Sequence, residues 1–196
     1  AATANKSFTL TADIDLGGLQ GRTWTGTQVT GTQEVVMDGN GHTIYNMKMS
    51  GAGGGSNGAG VGFVAYCMNP SFTMKDLTFK YCEVRSTATN YNYAVAVAYL
   101  GRGSLLNVGV EDSIVKGGNF AAGLAVGWDT GQKAVDGQGN PVTTWGSRID
   151  RCHTVRVYTY GASCIGNFCA PLMGGYVTNS YAVDGVSVST GGHSGG

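Results

Sequence analysis

The chain has 196 residues, 34 of them glycine and only 3 proline, and its charged residues make up 12%, about half the ~25% usual for soluble domains. Twelve basic and twelve acidic residues cancel, and no basic stripe is visible, so nucleic acid is not an expected partner. No run of ~18 apolar residues exists, so no membrane span is expected, and a first residue of Ala1 is what a mature chain cut after a small residue, or a trimmed one, would show.

In chain order, SFTLTADIDL (7–16) comes first, an imperfect copy of the repeat that fills the rest of the chain. EVVMDGNGHTIYNMKM (34–49) then gives a strand, a DGNG turn, a short strand, a corner at Asn46 and another strand. Gly39 and Gly41 suit positive φ, and Asp38 and His42 read as turn residues. The pattern of inward residue, two-residue corner, inward residue, polar, inward residue then recurs. Ile44, Met47 and Met49 carry it first, then Met74, Leu77 and Phe79, and then Leu105, Val108 and Val110. Ile149, Cys152 and Thr154 come next, and Val177, Ser180 and Ala182 close the series. The expected structural corners are Asn46, Asp76, Asn107, Arg151 and Asn179, at intervals of 30, 31, 44 and 28 residues. Asn and Asp tolerate the left-handed conformation of a sharp corner; Arg151 departs from that preference. A hairpin-like insertion, 129–147, explains the long interval. Small apolar runs keep the same beat: GFVAY (62–66), AVAYL (96–100), GLAVGW (123–128) and CIGNF (164–168).

A repeat near 30 residues with short strands and no amphipathic helix predicts a solenoid. The expected fold is all-β, a right-handed parallel β-helix of about six coils forming one domain, 1–196. Its parts are an imperfect first coil (1–33), regular coils (34–190) and a Gly-rich tail (191–196).

These residues carry a family resemblance. GLAVGWDTG followed by SRIDRCHTVRVYTYG resembles the GLUG repeat, on a scaffold similar to the pectate-lyase-like right-handed parallel β-helix proteins. Gly123, Leu124, Val126 and Gly127 match the head of the repeat; Ile149 and Cys152 match its tail. MGGYVTNSYAVDGVSV (173–188) repeats the tail with Asn179, Ser180 and Tyr181. Ala122 in place of Gly, Arg151 in place of Asn and the insertion are departures. The resemblance spans about 34–190. It implies a secreted or cell-surface bacterial protein of Bacteroidetes type, with structural repeats and no catalytic motif to carry over.

The function expected is a non-enzymatic extracellular structural or adhesive module, with self-assembly into filaments as one form. The alternative is a polysaccharide lyase, a glycosidase or a glycan-binding module on the same scaffold. No cofactor is expected. The five cysteines (67, 82, 152, 164 and 169) and the three scattered histidines (42, 153 and 193) lack zinc spacing, and the cysteines read as small core residues. Asp13 and Asp15 share a strand face and are the candidate metal ligands, against the plainer reading of a polar strand end. Asp76 and Asp150 lie at corners with Asn107 between them. Ser163 and Ser194 have no His or Asp context for nucleophilic catalysis.

The candidate ligand-binding residues are aromatic. In TVRVYTYG (154–161), Val155 and Val157 alternate with Arg156, Tyr158 and Tyr160; in NYNYAV (90–95), Tyr91 and Tyr93 share a face. Such a face suits a glycan or a host-surface ligand, and equally a Tyr ladder stabilising an exposed sheet. Neither end shows a capping helix, so self-association, end to end or through the Gly-rich segments, is the other expected partner.

Overall fold

The computed structural model describes residues 5–17, 26–52, 60–88, 93–128, 146–192 and 194–195. Over these residues the chain is all-β, with 24 strands, no helix and parallel pairing in four stacked sheets. The long sheet stacks Lys6–Thr9, Val35–Asp38, Phe72–Lys80, Gly103–Glu111, Ser147–Asp150 and Gly175–Thr178. Beside it run Ile14–Asp15, Thr43–Tyr45, His153–Val155 and Tyr181–Val183, which continue the ladder through the far halves of Phe72–Lys80 and Gly103–Glu111. A second sheet holds Thr27–Val29, Val64–Cys67, Ala98–Leu100, Ala125–Trp128 and Cys169–Met173. A third holds Lys48–Gly51, Glu83–Ser86, Ile114–Lys116, Tyr158–Gly161 and Val186–Ser189. The fourth holds Tyr93–Val95, Phe120–Ala122, Ile165–Gly166 and Ser194–Gly195. In each full layer the chain crosses the long, third, fourth and second sheets and returns to the long sheet one layer on.

Two columns of corners turn the chain. The first joins the halves of the long sheet and carries Asp76, Asn107, Arg151 and Asn179, with φ of 52°, 55°, 55° and 49°. The second leads into the third sheet and carries Asn46, Tyr81, Asp112, Arg156 and Asp184, with φ of 57°, 56°, 48°, 52° and 54°. Asn46 therefore does not share a column with Asp76. Tyr45 pairs with Lys80, which aligns Asn46 with Tyr81. The DGNG turn occupies the first corner, since Asp38 pairs with Lys75 and the Gly41 amide donates to the Asp76 carbonyl. The two corners look alike in sequence because each needs a left-handed residue between inward neighbours. Ile44-Tyr45-Asn46-Met47 matches Met74-Lys75-Asp76-Leu77 as a string, but its partner in space is Phe79-Lys80-Tyr81-Cys82. CIGNF is similarly displaced. Ile165 and Gly166 pair with Ala121 and Ala122 in the fourth sheet, and Cys169 begins the second. All but the last two residues of the 129–147 insertion lie outside the described residues, as do Tyr91 and most of the Gly-rich stretch 51–60.

Inward columns make the core. One runs Phe8, Met37, Met74, Leu105, Ile149, Val177. Another runs Ile14, Ile44, Phe79, Val110, Thr154, Ala182. In the third sheet the column is Met49, Val84, Val115, Thr159, Ser187. The middle members are fully buried, each worth about 1.5–3 kcal/mol. From the middle of the stack to the C-terminal layer the side chains of all three columns become smaller, and those of the third become polar. Buried Thr159 is satisfied there: its hydroxyl donates to Asn167 Oδ1 at 3.2 Å and meets Ser187 Oγ at 2.9 Å. Cys67, Cys82 and Cys152 are buried and all five thiols are free. Burial pushes Cys67 up to about 12 and Cys82 and Cys152 up to about 11, so these are unreactive packing residues, in keeping with the sequence.

A second apolar cluster lies outside this core. Tyr93, Val95, Tyr99, Phe120, Ala122 and Val126 pack together, although their strand neighbours Ala94, Ala98, Leu100, Ala121 and Ala125 point into the main core. Outward residues of adjacent sheets touch only if the corner between those sheets is re-entrant. The rings of Tyr93 and Phe120 stack at 4.9 Å and Tyr93 meets Tyr99 edge-on at 5.2 Å, a geometry that adds to area burial.

Candidate functional site

The residues singled out from the sequence separate in space. Tyr158 and Tyr160 point outward from the third sheet, Tyr158 half-buried and Tyr160 38% exposed. They stand in columns beside Ile114 and Val186, and Lys116 and Val188. Arg156 does not share their face, because it sits at a left-handed corner between sheets, which resets the alternation. Val155 points outward for the same reason, while Thr154, Val157 and Thr159 point in. Tyr93 is only 7% exposed, locked in the re-entrant aromatic cluster, so it offers no ring to a ligand; Tyr91 lies outside the described residues.

Asp13 and Asp15 are exposed, and each is satisfied by protein donors. Asp13 Oδ1 accepts from the Thr43 amide at 2.9 Å and meets His42 Nδ1 at 3.1 Å. Asp15 Oδ1 accepts from Asn46 Nδ2 at 2.8 Å and the Gly17 amide at 2.8 Å. The same link recurs at the first corner, where Asn107 Nδ2 donates to Asp76 Oδ1 at 2.8 Å and Asn179 Nδ2 to Asp150 Oδ1 at 2.9 Å. Arg151 Nε lies 3.4 Å from Asp150 Oδ2. The Asp13–Thr43, Asp15–Asn46, Asp76–Asn107 and Asp150–Asn179 links join neighbouring layers, whereas Arg151 meets Asp150 within its own layer; among the described residues no three His, Cys, Asp or Glu side chains group as metal ligands.

The register of the second corner brings together a charged cluster that the sequence pattern does not reveal. On the outer face of the long sheet, Lys80 Nζ lies 3.0 Å from Glu111 Oε2 and 3.4 Å from Asp112 Oδ2. Arg156 forks onto Asp112 at 2.5 and 3.0 Å, the bidentate geometry a guanidinium favours. His153 Nε2 stands 3.4 Å from Glu111 Oε1. The His153 ring lies against Gly109, where a Cβ would come within 2.4 Å of it, and stacks on Tyr181 at 5.5 Å. At the other flank Tyr81 stacks with Tyr45 at 6.4 Å and takes Lys80 over its face at 5.3 Å. Burial alone would raise the Glu111 carboxyl, but the Lys80 ammonium and His153 outweigh it and hold it below its ordinary value. The Arg156 guanidinium does the same for Asp112. Layer spacings of 31 and 44 residues applied to the second corner would have found this group.

The first and last described layers form the other candidate surface. The first layer leaves Phe8 56% and Ile14 36% exposed, although both stand in inward columns. Between them opens a cleft of about 400 Å³ lined by Phe8, Leu10, Ile14, Leu16, Val29 and Phe63 among others. At the last layer Val177 is 43% exposed and Ala182 is exposed, again in inward columns. Tyr181, Val183 and Val186 add outward apolar surface beside them.

Comparison with known protein families, curated proteins and solved structures finds no match to this chain.

Proposed function

We propose that the chain is a right-handed parallel β-helix of about six coils that serves as a non-enzymatic structural or adhesive module outside the cell, assembling through its own ends. The observation that carries this reading is the exposure of Phe8, Ile14 and Val177, which stand in the columns where Met74, Phe79, Leu105 and Ile149 are buried. A solenoid end presents unpaired backbone groups and an unfinished core, and proteins that remain single close such ends with charge, proline or a covering element. Among the described residues, Phe8, Leu10, Ile14 and Leu16 line an apolar cleft beside the first layer. The resemblance to GLUG-repeat surface proteins points the same way. Light scattering over a concentration series, with electron microscopy of the same samples, tests it: polymers growing with concentration are expected, and a monomer at every concentration would defeat the reading.

The outer charged cluster favours a second reading, a glycan-binding face. Exposed Tyr181 on His153 and Tyr81 on Tyr45 flank hydrogen-bonding groups, the combination of apolar ring and polar neighbour that suits sugars. On that reading, Tyr81→Ala with Tyr181→Ala abolishes retention on a glycan array; equal retention of mutant and parent would exclude it. Tyr158→Ala with Tyr160→Ala makes the same comparison for the third sheet.

A further inference from the structure

Resting on the glycan-binding reading of the outer charged cluster, we infer that Tyr81 is the anchor of that site and that its ligand is an uncharged sugar ring stacked on the Tyr81 side chain. Three features carry this, all centred on an inner layer whose neighbours on both sides are described.

The first is the backbone at residue 81. The second corner column is left-handed throughout, and Asn46, Asp112 and Asp184 are of the types that tolerate that conformation. Arg156 is not, but its side chain ties two layers together by forking onto Asp112. Tyr81 takes the same conformation, with φ of 56°, and yet is 51% exposed. Asn would turn this corner at lower cost, and a ring turned to solvent adds little to the core. An unfavourable backbone kept for an exposed side chain points to a use for that side chain.

The second is the form of the surface. The rings of Tyr45 and Tyr81 stand 6.4 Å apart and 29° from parallel, a shallow apolar platform. The Tyr81 amide donates to the Glu111 carbonyl, which fixes the platform beside Glu111 and Asp112. Lys80 Nζ lies 5.3 Å from the Tyr81 ring centre and 3.0 Å from Glu111 Oε2. A sugar offers an apolar face to a ring, and hydroxyls at its edge that donate to carboxylates and accept from an ammonium. A protein partner fits this surface less well. The centre of a protein interface is depleted of charge, whereas Lys80, Glu111, Asp112 and Arg156 crowd this platform.

The third is charge. The cations beside the site, Lys75, Lys80, Arg148, Arg151 and Arg156, each already have a carboxylate at 3.4 Å or less. Asp184 adds a further negative charge near Arg156. An acidic sugar would therefore meet Glu111, Asp112 and Asp184 with every neighbouring cation committed. An uncharged sugar meets no such repulsion.

The test is affinity electrophoresis of the full chain through gels holding a β-glucan, a mannan, dextran or alginate, with a glycan array run beside it. Circular dichroism melts set a temperature at which every variant is folded. The parent is held by an uncharged polysaccharide, equally at low and high salt, and passes alginate freely. Tyr81→Phe, which keeps the ring, is held like the parent. Tyr81→Asn melts no lower than the parent and is held about tenfold more weakly. Equal retention of Tyr81→Asn and the parent would place the sugar elsewhere, and retention by alginate alone, lost in salt, would make the ligand acidic. Either overturns the inference and leaves the glycan-binding reading standing. A Tyr81→Asn chain that melts below the parent would make the ring a packing residue and overturns it as well. A parent held by no polysaccharide and by no member of the array defeats both.

Discussion

Thr154 shows how one side chain can work against its own layer. It is buried in a column between Val110 and Ala182, and its Oγ1 has no hydrogen-bond partner. A buried hydroxyl without a partner carries its full desolvation cost, about 1–3 kcal/mol. Thr154→Val keeps the shape and the β-branching and removes the hydroxyl. It is expected to stabilise the chain by about 1 kcal/mol, a rise of ~2–4 °C in Tm for a domain of this size. Calorimetry decides, and an unchanged or lower Tm would show that the hydroxyl is satisfied. Thr159, one strand on, has the same chemistry and the opposite outcome, because Asn167 and Ser187 meet its hydroxyl.

At the scale of the element, the layers are joined at their corners by carboxylates. Asn46 and the Gly17 amide hold Asp15 below its ordinary value, Lys75 holds Asp38 there, Arg156 Asp112, and Asn179 with Thr178 Asp150. The Thr43 amide and His42 do so for Asp13. A carboxylate whose folded pKa is depressed contributes stability that is present above its unfolded value, about 4, and lost as pH falls through the folded value. Denaturant midpoints should therefore be level above about pH 5 and decline below about pH 4, each solvent-exposed link contributing little on its own; a midpoint that held constant down to pH 2 would show that these links contribute nothing. The corners also mark where the sequence is legible. Asp76, Asn107, Arg151 and Asn179 form the expected column, and stacked parallel strands follow from their spacing. The second column is hidden in the sequence because Tyr81 and Arg156 do not announce a left-handed corner, and Asn46, which does, matches the wrong neighbour as a string. With the phase displaced, Arg156, Tyr158 and Tyr160 read as one continuous strand face, and the cluster around Glu111 stays dispersed along the chain. The re-entrant cluster is invisible for a different reason: Tyr93, Tyr99 and Phe120 alternate along their strands with the inward residues Ala94, Ala98 and Ala121, and only the angle between two sheets turns outward into buried.

Across the whole molecule, the core changes character from one end to the other. Met74, Phe79 and Leu105 fill the inner layers, whereas Thr159 and Ser187 take the inward positions of the third sheet in the last two. Cross-sections near the N-terminus hold together by apolar burial, and those near the C-terminus add to the burial of Ile149, Val157 and Ile165 hydrogen bonds such as Ser187 to Asn167 at 2.8 Å. This gradient gives the stack a direction that no single repeat has. It is readable in the residue types once the columns are known, but not from composition, since 42% hydrophobic content averages over both ends.

The steps between layers are unequal, and this has a consequence for how the protein can vary. From Gly103 to Ser147 the chain takes 44 residues, and from Ser147 to Gly175 it takes 28, yet both steps close on four-pair ladders in the same register. Loop-closure entropy separates two such lengths by only about 0.4 kcal/mol. Pairing thus dictates where a layer begins, while the excursion between layers is nearly free in length. The molecule is a ruled frame with open margins, and foreign segments grafted where the chain leaves the second sheet would be carried without disturbing a single rung.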